Sequence, residues 1–268
     1  MTETSAAARW SDELAAWALP DEILGQATRS PWALPVERFA QRADDAVARP
    51  GGWSYERAAS MLPLGGSVLD VGVGAGAASL PLAGRATLVT GVDTDPRMLD
   101  AFEQRLAGSP ARGSTVEGRW PDVAGEVRPH DVVVAHHVAY NVADMVPFVT
   151  ALTERAVHGV VVELPPRHPL SWMNPLWGQF WGLARPDSPT ADEFVDVLRE
   201  LGVAGLVVYR WTREDRNMTP LEARAVLVTQ RLCLPDDRVG DVTKAIAGLP
   251  PAQHRDVVTV AWSGAAAG

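Results

Sequence analysis

Up to residue 63 the apolar positions recur every three or four residues; beyond it they gather into short continuous runs separated by amphipathic stretches. Trp10, Leu14 and Trp17 mark one face of a helix over Ala6 to Leu19, which Pro20 ends. Val36, Phe39, Ala40 and Ala43 mark a second helix over 35–47, broken by Pro50-Gly51-Gly52, and a third runs from Tyr55 to Leu62 and stops at Pro63. From Ser67 onward the pattern alternates between strand and helix. Strands are expected at 67–71, 86–91, 113–117, 131–135, 157–164, 203–211 and 256–262. Helices are expected over 77–82, after the Asp95-Pro96 cap and after Asp144. Others should follow the capping boxes Thr190–Glu193 and Thr219–Glu222, and a last one should span 239–249. The run Asp-Val-Val-Val-Ala at 131–135 suits a strand buried on both faces. Such alternation predicts an α/β fold, a doubly wound, mostly parallel sheet with helices on both faces. It divides the chain into a helical N-terminal cap, residues 1–63, and a sheet domain, residues 64–268.

The first strand enters a glycine-rich turn, Gly72-Val73-Gly74-Ala75-Gly76-Ala77. Glycines at alternate positions let a ligand approach the backbone, because no Cβ stands in the way. Asp93 closes the second strand 21 residues after Gly72, the distance at which an acidic side chain meets ribose hydroxyls in such folds. These two features point to a nucleoside-containing cofactor and leave two readings. Gly72-x-Gly74-x-x-Ala77 fits a dinucleotide turn, yet Asp70 would repel a pyrophosphate and attract a cationic ligand.

The order Asp70-x-Gly72-x-Gly74-x-Gly76 resembles motif I of class I S-adenosylmethionine-dependent methyltransferases, and Gly91-Val92-Asp93-Thr94-Asp95-Pro96 resembles their motif II. The resemblance implies a seven-stranded sheet with the seventh strand antiparallel between the fifth and sixth. It implies S-adenosyl-L-methionine as cofactor, held by Asp70, Gly72, Gly74, Gly76, Asp93 and Thr94. Where the family usually carries an acid near the adenine, this chain has Arg119, so Trp120 is the candidate to stack on the ring instead. His136-His137-Val138-Ala139-Tyr140-Asn141 takes the place of motif IV, which in the family lines the methionine portion of the cofactor and the acceptor. His136 is assigned to the cofactor; His137 and Tyr140 are the catalytic candidates for orienting or deprotonating the acceptor. Two alternatives stand beside methyl transfer: a binding module that keeps the nucleoside site without turnover, and a nicotinamide-dependent enzyme.

Composition narrows the acceptor. A formal net charge of −9 disfavours nucleic acid, whose binding rests on cations neutralising phosphates. Cys233 is the only cysteine, and two adjacent histidines point apart on an extended chain, so no metal is expected. No run of 18 apolar residues appears and the first residues carry neither basic nor apolar signal character, so a cytoplasmic protein without membrane attachment is expected. The aromatic stretch Trp172–Trp181 after the fifth strand would form one wall of an apolar pocket. Together these suggest a small, partly apolar acceptor. The oligomeric state is open, a homodimer being one option.

Overall fold

In the computed structural model, residues 4–33, 35–214, 220–249 and 254–265 are described. The chain opens with α1 (Ala6–Ala15), α2 (Asp21–Leu24), α3 (Val36–Ala48) and α4 (Trp53–Met61). It continues with β1 (Gly66–Val71), β2 (Ala86–Asp93), α5 (Pro96–Leu106), β3 (Arg112–Glu117), β4 (His130–His136), α6 (Met145–Glu154) and β5 (Ala156–Leu164). The last third holds α7 (Asn174–Trp181), α8 (Ala191–Glu200), β6 (Val207–Glu214), α9 (Leu221–Arg231), α10 (Val239–Ala247) and β7 (His254–Ser263). The seven strands form one sheet in the order β3-β2-β1-β4-β5-β7-β6, with β7 antiparallel to both neighbours. No helix among the described residues is long and apolar enough to cross a membrane.

Strand alternation sends side chains to two separate cores. Leu69, Val71, Val133, Ala135, Val160, Val162, Val258 and Trp262 pack with Trp10 of α1, Phe148 of α6 and Phe194 of α8. Val68, Val132, Val134, Val161 and Ala261 pack on the other face with Ala43, Ala58 and Phe102 of α3, α4 and α5. Each fully buried Val, Leu or Phe contributes roughly 1.5–3 kcal/mol, so the central strands anchor the fold. A third core lies apart from the sheet: Ile23, Leu176, Trp177, Ala225, Val228, Val242 and Ile246 join α2, α7, α9 and α10. The helices α7 and α9 follow the carboxyl ends of β5 and β6, so this satellite grows from the edge where ligands bind in such sheets.

Several local expectations need correction. No α-helix follows the glycine turn; residues 80–82 make only a single 3₁₀ turn. Pro81 allows no more, since it lacks an N–H and clashes with the preceding turn. The sixth strand begins at Val207 instead of Val203, because Gly202 and Gly205 both adopt positive φ and turn the chain first. Asp144 occupies the cap position of α6 without a side-chain capping bond. The Thr190–Glu193 box forms as read. Thr219 of the second box lies outside the described residues.

Candidate active site

The strand order reverses between β1 and β4, and in such sheets the ligand crevice lies beyond the carboxyl ends of the strands at that point. On its first side, Gly72, Gly74 and Gly76 have φ of 70°, 52° and 93°, a region that favours glycine. The notch left by Gly72 is filled by Val138, since a Cβ there would lie 2.4 Å from Val138 Cγ2. A Cβ on Gly74 would meet only Phe39 of α3, at an ordinary 3.4 Å. Asp93 is half-buried at the end of β2; its Oδ2 accepts from the Gly74 N–H at 2.9 Å and its Oδ1 from the Asp95 N–H at 3.0 Å. Thr94, the next residue, is exposed. Asp70 is buried, and Ser79 Oγ donates to its Oδ2 at 2.6 Å. Burial pushes the Asp70 carboxyl up to about 7, the Ser79 hydrogen bond opposing the rise and Asp93 adding to it. The fixed negative charge that residue type suggested is therefore only partly present at neutral pH.

On the second side, β4 and β5 pair in parallel with His136 opposite Glu163. Past the strand end, His137 takes φ of 61°, uncommon for a residue with a side chain, and its N–H donates to the Glu163 carbonyl at 2.7 Å. That backbone turn brings His137 Nε2 to 3.2 Å from Glu163 Oε1 while about half of the His137 side chain stays exposed. Arg213, near the end of β6, reaches the same carboxylate oxygen. Glu163 is 3% exposed. Burial alone would raise its carboxyl, but His136, His137 and Arg213 outweigh burial and hold it well below the usual range. His136 is held neutral, its pKa lowered to about 4 chiefly by burial, and its Nε2 has no partner. Neither Glu163 nor Arg213 is among the site residues assigned from the sequence. A signal for the first was present, a lone carboxylate in the apolar run Val160-Val161-Val162-Glu163-Leu164.

Tyr140 does not join this group, and its catalytic assignment is corrected. Its ring stacks on Trp10 at 5.4 Å in the core, its hydroxyl donates to the Pro165 carbonyl at 3.0 Å, and burial pushes its pKa up. Trp10 Nε1 in turn donates to the Val142 carbonyl at 2.8 Å, so the 137–142 loop is clamped between α1 and the segment after β5. The clamp continues through His168, edge-on to Tyr140 and stacked on Trp17. Trp120 is 6% exposed and belongs to the same core, so it offers no free face for stacking; its buried Nε1 has no partner. In the aromatic stretch, Leu176 and Trp177 are buried in the satellite core, while Trp172 lies exposed under Arg224.

The residues fit a nucleoside cofactor. Gly74 opens its backbone beside the Asp93 carboxylate, whose oxygens keep lone pairs for hydroxyl donors. One buried, unpartnered group, His136 Nε2, belongs to the last residue of β4, one of the two strands at the crevice, where a polar ligand would satisfy it.

Residues 68–156 match the model of a family described as a methyltransferase domain. Among solved structures, a cyclopropane-fatty-acyl-phospholipid synthase-like protein from Lactobacillus casei ATCC 334 aligns with TM-score 0.56 at 17% identity, over 91% of this chain and 98% of its own. A proposed sarcosine dimethylglycine methyltransferase from Galdieria sulphuraria aligns with TM-score 0.54 at 14% identity, over 91% and 96%. A proposed methyltransferase from Bacillus halodurans C-125 gives 0.52 at 13%, over 78% and 96%. No curated protein matches the sequence. At these identities the structures speak for the fold alone; the family model covers residues 68–156, about a third of the chain, and that segment is similar to a methyltransferase domain, which supports an S-adenosylmethionine-dependent methyltransferase.

Proposed function

We propose that this enzyme methylates a small, partly apolar acceptor at a heteroatom that starts protonated, a hydroxyl foremost, and that His137 takes the proton. S-adenosylmethionine, when bound, supplies a sulfonium-activated methyl group for in-line transfer. Asp93 is suited to accept ribose hydroxyls, and Gly72, Gly74 and Gly76 let the ligand lie against the backbone. Thr94 extends this side of the site. Asp70 serves it through Ser79, ordering the loop more than supplying charge. His136, neutral and with a free Nε2, suits the methionine portion. Residues 1–63, together with the satellite helices, would cap the acceptor. A cytoplasmic role on a small molecule fits the acidic chain better than action on nucleic acid.

The observation that carries this reading is the His137–Glu163 contact. With Nε2 turned to the buried carboxylate, Nδ1 is left to take the acceptor's proton, and an ionised Glu163 stabilises the imidazolium that proton transfer would create. Tyr140 holds the loop that carries the base. The test is S-adenosylhomocysteine release from a panel of small hydroxylated acceptors, comparing wild type with His137→Gln. A variant that turns over at the wild-type rate removes His137 from the chemistry.

A further inference from the structure

Arg213 is more elaborately placed than a counter-ion to Glu163 requires. The strand β7 lies between β6 and β5, so the side chain crosses it to reach Glu163. Its guanidinium lies over the Trp211 ring, 5.2 Å from the centroid. That ring is immobilised: Trp211 Nε1 donates to Thr259 Oγ1 at 2.9 Å, and Thr259 shares a 2.6 Å hydrogen bond with Ser54 of α4. A Cβ on Gly52 would come 2.4 Å from Trp211 Cη2, so the indole fills the space that this glycine leaves. Arginine pairs with a carboxylate best through two parallel N–H donors. Here a single Nη contacts Glu163, at the oxygen His137 already faces. The Nε–H and the other Nη group have no partner among the described residues, and 47% of the side chain is exposed.

We propose that Arg213 is the receptor for a carboxylate on the acceptor, making the substrate a small hydroxy acid. This rests on the reading of His137 as base and adds the substrate class to it. With Nη2 on Glu163, the stacked guanidinium keeps its charge and the outward Nη1 donors for a carboxylate oxygen of the acceptor. Glu163 lies between Arg213 and His137 and so sets the distance between the acid group and the nucleophile. Trp211 beneath the guanidinium supplies the apolar surface along which the body of the acceptor lies.

The test uses matched probes titrated by calorimetry into the S-adenosylhomocysteine complex: 4-hydroxybenzoate, 4-hydroxyphenylacetate and 3-hydroxybutyrate, each beside its methyl ester. At least one acid should bind wild type about tenfold more tightly than its ester, the scale of one charge-assisted hydrogen-bonded pair. In Arg213→Met that ratio should fall to near one, and Arg213→Lys, which keeps charge without the fork, should restore part of it. Circular dichroism and S-adenosylhomocysteine affinity establish that the variants are folded. No acid preference in any of the three pairs, or a preference that survives Arg213→Met, overturns the proposal. Should that variant not fold, an undiminished ratio in Arg213→Gln, which removes the charge and keeps a polar side chain, overturns it equally. His137→Gln should keep the acid preference while losing turnover, so failure of the base reading and failure of the receptor reading give different results.

Discussion

The two sides of the crevice solve different problems. On the β1–β2 side the polar groups are satisfied within a few residues of chain: Asp70 by Ser79, Asp93 by Gly74 and Asp95. Its one fully buried carboxyl gives up part of its charge to stay there. On the β4–β6 side a carboxylate equally buried keeps its charge, because the Arg213 guanidinium reaches it and the His137 ring contacts the same oxygen. Burial without a cation leads to protonation; burial with cations preserves an anion that can serve a base. The first arrangement suits a ligand common to a whole family, the second a particular acceptor.

The sharpest way to separate the two sides is His137→Gln. Loss of a general base costs about 10²–10⁴-fold in turnover, and S-adenosylhomocysteine affinity should stay within about threefold. Equal loss of both would mean that the two sides are one unit.

Next in size is the pH response of the buried carboxyl. The raised pKa of Asp70 means that the folded state holds its proton where the unfolded state has released it. Stability from this group is full below the unfolded value and is lost as pH rises towards about 7. Asp70→Asn lacks the loss, so its unfolding free energy relative to wild type should climb between pH 4 and 7 and level off above, by on the order of 2–4 kcal/mol, as read from denaturant unfolding. Glu163 has the opposite sign: its lowered pKa supports the fold above the usual carboxylate range and withdraws that support as pH falls through it. Parallel pH curves for wild type and Asp70→Asn would show that Asp70 is ionised throughout.

A smaller loss is expected at the ribose position. Asp93→Ala should weaken S-adenosylhomocysteine binding by about 1.5–3 kcal/mol, as read by calorimetry, with the fold retained. Wild-type affinity would remove Asp93 from the cofactor side.

Smallest of all should be Tyr140→Phe. It leaves the Trp10 stack in place and removes one hydrogen bond to Pro165, so stability should drop by about 1 kcal/mol and turnover by less than threefold. A drop as large as that of His137→Gln would restore the phenol to the chemistry.

The amino-acid sequence by itself determined the alternating architecture and the glycine turn that meets Asp93. Both depend on neighbours in the chain: the period of apolar residues, three glycines in one turn, and an acid one strand later. It did not determine the helix after the turn, where Pro81 overrides an apolar run, nor the cluster around Glu163. His137, Glu163 and Arg213 are separated by whole secondary-structure units, and only the pairing of β4 with β5 and the insertion of β7 beside β6 bring them to one edge. Tyr140 shows the limit most plainly. Three residues from His137 in a loop, it is as polar and as reactive on paper. The tertiary structure decided between them, because the positive φ of His137 turns one side chain out to Glu163 while the stack on Trp10 draws the other into the core.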